Sequence, residues 1–197
     1  MTKTTTEVLV AGAVALAVVI SGCSDRNSGV SVPTSAPSTV GVPAVTDPIS
    51  NTAKAEADPC GVLSAAEIES IGGKVKRTRT EDLTTGVACT WVFEVSPTTV
   101  SAGLVTGNKN GLRSLYESNA TGGLTTFRPV EPINGHPAVV YANGGEGQGT
   151  CTLAVGIRDD LVYTIIPRLS SDHPSFADPC GMATKVAAAA IKNLKKS

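Results

Sequence analysis

Four cysteines constrain the fold of this chain more than any other feature of its sequence. Cys60 and Cys89 are separated by the same number of residues as Cys151 and Cys180. An even number of cysteines in an exported domain predicts two disulfide bonds. A bridge that closes a loop of about 30 residues stabilises a fold by roughly 3.5 kcal/mol in the chain-entropy model. We therefore expect a small domain that two covalent links hold together.

Repeated motifs bear on which cysteines pair. The sequence Asp-Pro-Cys-Gly occurs at both Cys60 and Cys180, whereas Cys89 and Cys151 each lie in an apolar, strand-like run. We predict the bridges Cys60–Cys89 and Cys151–Cys180, each of which links the start of a helix to a strand. The rival pairing, Cys60–Cys180 with Cys89–Cys151, joins like to like and stays open at this point.

A fifth cysteine, Cys23, follows an apolar run from Leu9 to Ile20 and ends the tetrapeptide Ile-Ser-Gly-Cys. This arrangement resembles a bacterial lipobox, the signal for cleavage before a cysteine and attachment of lipid to its sulfur. The apolar run suits a signal peptide and is shorter than the ~20 residues that span a bilayer. We expect residues 1–22 to be a lipoprotein signal peptide and Cys23 to anchor the protein to the extracytoplasmic face of the cell membrane. The alternatives are an ordinary secretory signal cut near Gly22 and a short uncleaved anchor.

The composition changes after the anchor. Residues 23–57 are rich in Ser, Thr, Pro and small residues and contain no aromatic residue. Such a segment buries too little apolar surface to offset its ordering entropy, so we expect a flexible tether. Its mean reach is roughly 30 Å. Residues 58–197 have the length of one ordinary domain, which we expect to be extracytoplasmic.

Charge and residue spacing exclude several function classes. The formal net charge is −1, and no basic run is long enough to follow a phosphate backbone, so no nucleic-acid partner is predicted. Lys192, Lys195 and Lys196 fit the cationic end of a last helix, with contact to anionic lipid headgroups as the alternative. No Cys-x-x-Cys motif occurs, and neither histidine lies at ligand spacing from a cysteine. We predict no metal and no cofactor.

Helix signals stand at both ends of the domain. Asp58 and a capping box from Ser64 to Glu67 predict a short first helix. Asp178 begins a last helix that runs to about Leu194, with small and apolar side chains along one stripe. The segment 110–118 predicts another short helix.

Between the end helices the pattern is that of strands. In the segment 87–95, Cys89, Trp91 and Phe93 alternate and share one face. Further strands are predicted near 104–105 and at 138–141, 151–157 and 161–166, with hairpin turns at 134–135 and 158–160. The expected fold is therefore α+β, a mainly antiparallel sheet packed against N-terminal and C-terminal helices.

No catalytic constellation can be assembled from the sequence. His136 follows a hairpin turn, where a surface or edge position is expected, and His173 lies in a loop without a partner in reach by sequence. No serine occupies a Gly-x-Ser-x-Gly elbow. The glycine-rich segment 144–149 lacks the lysine and hydroxyl of a P-loop, so it predicts a mobile hairpin loop. We predict no catalytic residues and a protein that is not an enzyme.

Taken together, these motifs are similar to those of a family of actinobacterial lipoproteins catalogued as domain of unknown function 3558. The resemblance rests on the lipobox, the tether, the Asp-Pro-Cys motif at Cys60 and the Cys-Thr-Trp motif at Cys89. It also includes the Gly-His-Pro-Ala segment at His136 and the helix that follows Cys180. It implies an exported, membrane-anchored α+β domain and supplies no activity, cofactor or catalytic residue.

Three functions fit these features. We favour a lipid-tethered binding or accessory domain that acts on an envelope protein or as an extracytoplasmic sensor module. The alternative is a carrier of lipid or another apolar ligand, which requires a deep cavity between the sheet and the alanine-rich face of the last helix. A hydrolase would require His136 or His173 beside a hydroxyl or carboxylate.

Overall fold

The computed structural model describes residues 41–145 and 147–197. Cys23 and the predicted signal peptide lie outside these residues. In chain order the described elements are α1 (Ala53–Ala57), a short 3-10 helix (Pro59–Gly61), α2 (Ala65–Gly72), β1 (Val75–Leu83), β2 (Gly86–Phe93), β3 (Thr99–Leu104), α3 (Arg113–Ala120), β4 (Thr126–Ile133), β5 (His136–Ala142), β6 (Leu153–Arg158), β7 (Leu161–Arg168) and α4 (Pro179–Leu194). Within these ranges, no helix is long and apolar enough to cross a bilayer.

The seven strands form one sheet in the order β1-β2-β3-β7-β6-β5-β4. Every neighbouring pair is antiparallel, so the predicted α+β class with an antiparallel sheet is confirmed. Asn134 and Gly135 join β4 to β5 with φ values of 49° and 85°, as the hairpin signal predicts. The sheet therefore consists of two antiparallel ribbons, β1–β3 and β4–β7, which meet where β3 pairs with β7.

Alternate residues of the strands divide between two faces of the sheet. The face that packs against α2 and α4, here called the core face, buries Trp91, Phe93 and Tyr163. The opposite face, here called the α3 face, packs Val139 and other alternate strand residues against the start of α3. Because α3 is short, it covers only part of this second face.

Both disulfides join the pairs that we predicted. Cys60–Cys89 links the 3-10 helix to β2, and Cys151–Cys180 links the segment before β6 to the first turn of α4. The sequence separation is 29 residues in each case, so the two bridges close loops of equal length.

The repeated Asp-Pro-Cys-Gly motif has one local geometry at both of its sites. The Asp58 carboxylate accepts a hydrogen bond of 3.1 Å from the Gly61 N–H, and Asp178 accepts one of 2.8 Å from the Gly181 N–H. A Cβ on either glycine would collide with that carboxylate. The motif thus caps a helical turn and presents the cysteine to a neighbouring strand, and the cap oxygen leaves room only for glycine.

The folded unit begins before Asp58, which corrects the predicted boundary between tether and domain. Ile49 donates its backbone N–H to the Ile157 carbonyl at 3.1 Å, and its side chain is 6 % exposed. Arg158 Nη1 donates to Thr52 Oγ1 at 3.2 Å, just before α1. We call residues 45–57 the N-terminal strap. Their polar composition suggested a tether, but one buried isoleucine and the β6–β7 turn fix the strap to the sheet.

Candidate functional site

The space between α4 and the core face is filled by side chains. Ala183, Ala187 and Ala190 are fully buried and belong to the same packed cluster as Tyr163 and Ile165. Small side chains on α4 therefore allow the helix to approach the sheet closely. In this layer of the described structure, the deep cavity that a lipid carrier was expected to have is absent.

An open cavity of about 280 Å³ lies instead on the α3 face. Strands β2, β3 and β7 form its floor, and Leu115 of α3 forms part of its wall. Leu83 at the end of β1 lies at this cavity and is 40 % exposed. We call this cavity the α3-face groove. The first turn of α3 borders this groove, and the helix runs from there toward β4, where Tyr116 packs on Phe127.

Small residues on β2 and β3 leave space above the strands that form the floor of the groove. Ala88 of β2 pairs with Gly103 of β3, and Gly103 pairs with Thr164 of β7. A Cβ on Gly103 would lie 2.6 Å from the Val87 carbonyl oxygen and 2.8 Å from the Ala88 Cα. Glycine at this position therefore permits the close approach of β2 and β3, and little side-chain volume stands above the floor.

Thr164 brings an unpartnered hydroxyl to this floor. Its side chain is 8 % exposed, and its Oγ1 makes no hydrogen bond with the described residues. The Tyr141 hydroxyl lies near Thr164 but outside hydrogen-bonding geometry. Burial raises the pKa of Tyr141, and the polar contact with Thr164 opposes that rise. An unsatisfied buried polar group costs about 1–3 kcal/mol of stability. Proteins tolerate such groups at functional sites. His136 Nε2 and Tyr163 Oη also lack partners among the described residues but lie in the filled core, whereas Thr164 opens onto a cavity.

Ser101 supplies another buried hydroxyl of the groove, and a chain of hydrogen bonds determines which way its proton points. Ser101 Oγ lies 2.8 Å from Thr90 Oγ1, and Thr90 donates its own proton to Glu81. Arg79 also donates to Glu81, at 2.6 Å. The hydrogen bonds from Thr90 and Arg79 lower the pKa of Glu81, and an ionised carboxylate only accepts. The Ser101 proton therefore goes to Thr90, and Ser101 presents oxygen lone pairs to the groove.

A second cavity of about 360 Å³ lies beside the glycine-rich segment. Its lining includes Arg128, Arg168 and the glycines at 144, 145 and 147. Both arginines are exposed, and neither forms a salt bridge with the described residues. Water can hydrate both guanidinium groups, so neither arginine needs a ligand to satisfy its N–H donors. Glu146 lies outside the described residues.

Both histidines are buried, so the expected surface position of His136 is wrong. His136 stands on the core face, where its Nδ1 lies 2.7 Å from the Gly156 carbonyl oxygen. His173 Nε2 lies 2.8 Å from the Gly72 carbonyl oxygen, and its Nδ1 accepts from the Ser175 N–H at 3.1 Å. Among the described residues, neither ring is hydrogen-bonded to a side-chain hydroxyl or carboxylate. The pairing that a hydrolase would require is therefore not formed at either histidine.

The part of the chain that the structure describes contains no group of three or more His, Cys, Asp or Glu residues placed to hold a metal ion. Four of the cysteines are consumed by the two disulfides. We therefore take the α3-face groove as the candidate site. It is an open cavity, and of its hydroxyls from Ser101 and Thr164, the Thr164 hydroxyl makes no hydrogen bond with the described residues. Sequence reasoning missed this site because its residues lie on strands that are distant in the chain.

Comparison with known proteins gives a family and no activity. A family model described as "Protein of unknown function (DUF3558)" matches residues 18–193. Neither the curated proteins nor the solved structures contain a match to this chain. The matched range includes both disulfides and every residue of the α3-face groove.

Proposed function

This chain belongs to the DUF3558 family of proteins of unknown function, and we propose that it is a lipid-anchored extracytoplasmic binding protein. In this proposal, residues 1–22 are removed as a signal peptide and a lipid on Cys23 holds the protein at the cell membrane. The domain then presents the α3-face groove to the envelope. The lipobox-like sequence at Cys23 supports the anchor, and the geometry of the groove supports the binding role.

The observation that carries the binding role is the unpartnered Thr164 hydroxyl in an open, largely apolar groove. Ligand sites are typically apolar concavities with a few polar groups that fix the orientation of the ligand. Val162, Ile166 and Leu115 supply apolar surface here, while Thr164 and Ser101 supply the polar groups. A ligand hydrogen bond to Thr164 would satisfy a group that the folded chain leaves unsatisfied.

Binding without catalysis fits the side chains of the groove. The lining contains hydroxyl and amide groups, and it contains no histidine, carboxylate, thiol or amine. A nucleophilic hydroxyl requires an adjacent base to accept its proton. Glu81, which is joined to Ser101 through Thr90, already accepts hydrogen bonds from Thr90 and Arg79. An accessory or sensor role toward an envelope protein follows if that protein distinguishes the occupied from the empty domain.

A carrier of an apolar ligand is the second candidate function. The filled layer beneath α4 offers no room for such a ligand, but the apolar walls of the α3-face groove do. In a carrier, the groove would release its ligand to a partner, whereas a sensor would retain it. Both roles require the same groove.

A photo-crosslinking side chain at the groove tests the binding role in intact cells. Leu83 at the groove and Val95 beyond the far end of β2 are 40 % and 39 % exposed, so they form a matched pair of positions. We expect p-benzoylphenylalanine at Leu83 to form adducts that Val105→Phe, which fills the groove, abolishes. The same probe at Val95 should give no adduct that depends on Val105. Adducts at Leu83 that persist in Val105→Phe would contradict a groove-based function.

A further inference from the structure

We infer that the α3-face groove binds a small uncharged molecule with an apolar body and one hydroxyl or N–H donor. The ligand group donates a hydrogen bond to Ser101, and Thr164 forms a second hydrogen bond with the same group. This inference rests on the proposed binding function and adds the chemical class of the ligand. It derives from the charge, the hydrogen-bond polarity and the volume of the groove.

The ligand is uncharged because the groove has no charge to offer it. None of the side chains that line the cavity is ionisable at neutral pH. Burying an unpaired charge is far more costly than burying a neutral polar group. Glu81, which lies behind Thr90 and Ser101, is already matched by Arg79 at 2.6 Å. A charged ligand group would therefore lose hydration in the groove without a counter-charge.

The ligand carries a donor because Ser101 has no proton left to give. The chain from Ser101 through Thr90 to Glu81 directs each hydroxyl proton toward the carboxylate. Only a ligand with an O–H or N–H group can pair with the lone pairs of Ser101. An ether or ester oxygen at this place would face another acceptor.

Thr164 lies close enough to Ser101 to pair with the same ligand group. Ser101 is paired with Ile166 and Gly103 with Thr164, so Ser101 and Thr164 are diagonal neighbours on adjacent strands. The backbones of such neighbours stand about 7–8 Å apart on one face of an antiparallel pair, and their Cβ atoms are closer, so one ligand oxygen can lie between the two hydroxyls. A ligand hydroxyl between the two side chains donates to Ser101 and accepts from Thr164. It would satisfy the Thr164 hydroxyl, which makes no hydrogen bond with the described residues.

The volume of the groove limits the size of the ligand. Its 280 Å³ lies at the lower edge of the roughly 300–1,000 Å³ that is usual for drug-sized ligands. One ring with short substituents fills such a space, and a longer chain would have to leave it past Leu83. The groove therefore selects a ring or short chain with its polar group at the floor.

Thr164→Val separates a binding role from a structural one. Valine keeps the shape of threonine and removes the unsatisfied hydroxyl, so we expect the unliganded domain to become more stable. The same change should lower the affinity for the ligand about three- to tenfold, because one neutral hydrogen bond is lost. A matched control is Thr184→Val on the exposed side of α4, where the hydroxyl donates to the Cys180 carbonyl at 2.9 Å. Opposite signs for stability and affinity at position 164 are the signature of a binding residue.

Three matched probes test the ligand class on the full-length protein in isolated membranes. They are 4-methylphenol, 4-methylanisole, which lacks the donor, and 4-methylbenzoate, which is charged. The readout is the Tm from pulse proteolysis, because a ligand that binds only the folded state raises the Tm by mass action. We expect 4-methylphenol to bind at least about threefold more tightly than 4-methylanisole, and 4-methylbenzoate to give no shift. The preference for the phenol should fall in Thr164→Val and persist in Thr184→Val.

The outcomes separate this inference from the function on which it rests. Equal stabilisation by 4-methylphenol and 4-methylanisole would overturn the assignment of Ser101 as an acceptor, and a shift with 4-methylbenzoate would overturn the neutral class. If no probe shifts the Tm but adducts at Leu83 still depend on Val105, the ligand class is wrong and the binding function stands. If neither response occurs, both proposals fail.

Discussion

The side-chain amide of Asn193 on α4 donates a hydrogen bond of 2.9 Å to Oε1 of Glu67 on α2. The same amide also donates to the Val62 carbonyl at 3.0 Å. The other carboxylate oxygen of Glu67 accepts from the Ser64 N–H at 2.9 Å and closes the capping box of α2. One carboxylate thus stabilises the first turn of α2 and holds α2 to the last helix.

Asn193→Ala should lower the free energy of unfolding by about 1–2 kcal/mol, because it removes a charge-assisted hydrogen bond at a partly exposed site. Urea unfolding measures this loss. Asn51→Ala is the control, since the Asn51 amide is exposed and donates only a long bond of 3.4 Å to the Ser197 carbonyl. We expect that variant to change stability by less than about 0.5 kcal/mol. Equal losses in the two variants would show that the contact with Glu67 contributes little.

The free energy of unfolding should fall in acid, as carboxylates whose pKa is lowered in the folded state become protonated. Hydrogen bonds from Asn193 and then Ser64 lower the pKa of Glu67 below its usual range. A lowered pKa adds stability above the unfolded-state pKa of about 4.3, and this stability is lost as the pH falls through the folded-state value. Asp160 and Glu81, whose pKa values are also lowered, act in the same sense. Urea midpoints between about pH 6 and pH 3 should decline less steeply in Glu67→Gln, and an unchanged slope would exclude Glu67 as a contributor.

Loss of either disulfide should destabilise the domain by a similar amount. Both bridges close loops with a separation of 29 residues, so the chain-entropy model assigns about 3.5 kcal/mol to each. Urea unfolding of the paired variants Cys60→Ala/Cys89→Ala and Cys151→Ala/Cys180→Ala tests this. Peptide mapping under non-reducing conditions should recover the two bridges in the unaltered protein. A peptide that joins Cys60 to Cys180 would contradict the structure.

Cys23→Ala should abolish the anchor of the protein without affecting its folded domain. We expect the variant in the culture medium or unprocessed in mass spectra, because alanine has no sulfur to carry lipid. Ser24→Ala is the control and should remain lipidated. A Cys23→Ala protein that stays in the membrane fraction at the processed mass would overturn the lipobox interpretation.

Ile49→Ala should loosen the N-terminal strap. The side chain of Ile49 enters the core, so its truncation should cost about 2–4 kcal/mol. Limited proteolysis should then cut within residues 45–57 earlier than in the unaltered protein, and Val95→Ala at an exposed site should leave the cleavage rate unchanged. If the strap of Ile49→Ala resists protease as before, the polar contacts of Thr52 and Asp47 are sufficient to hold it.

Local sequence patterns predicted the elements that face the core and missed those at the sheet edges. The alternation of Cys89, Trp91 and Phe93 predicted β2 and its buried face, which the structure confirms. Edge strand β1 carries charged residues along most of its length, and edge strand β4 contains Pro129 and Pro132. Edge strands tolerate charges and prolines because one side of their backbone needs no partner. Strand signals are weakest in such segments.

The groove could not be found by local reasoning because it depends on which strands become neighbours. Ser101 and Thr164 are 63 positions apart in the sequence and come together only because β3 pairs with β7. His136 shows the same limitation on a smaller scale. The adjacent turn suggested exposure, but the alternation that buries Ala138 and Val140 also places His136 on the core face.

The salt bridge of 2.7 Å between Lys195 Nζ and Asp47 Oδ2 has a practical consequence. It places Asp47, near the start of the strap, beside Lys195, just after α4. The domain is therefore suited to circular permutation, in which a short linker joins these ends and new termini open in a surface loop.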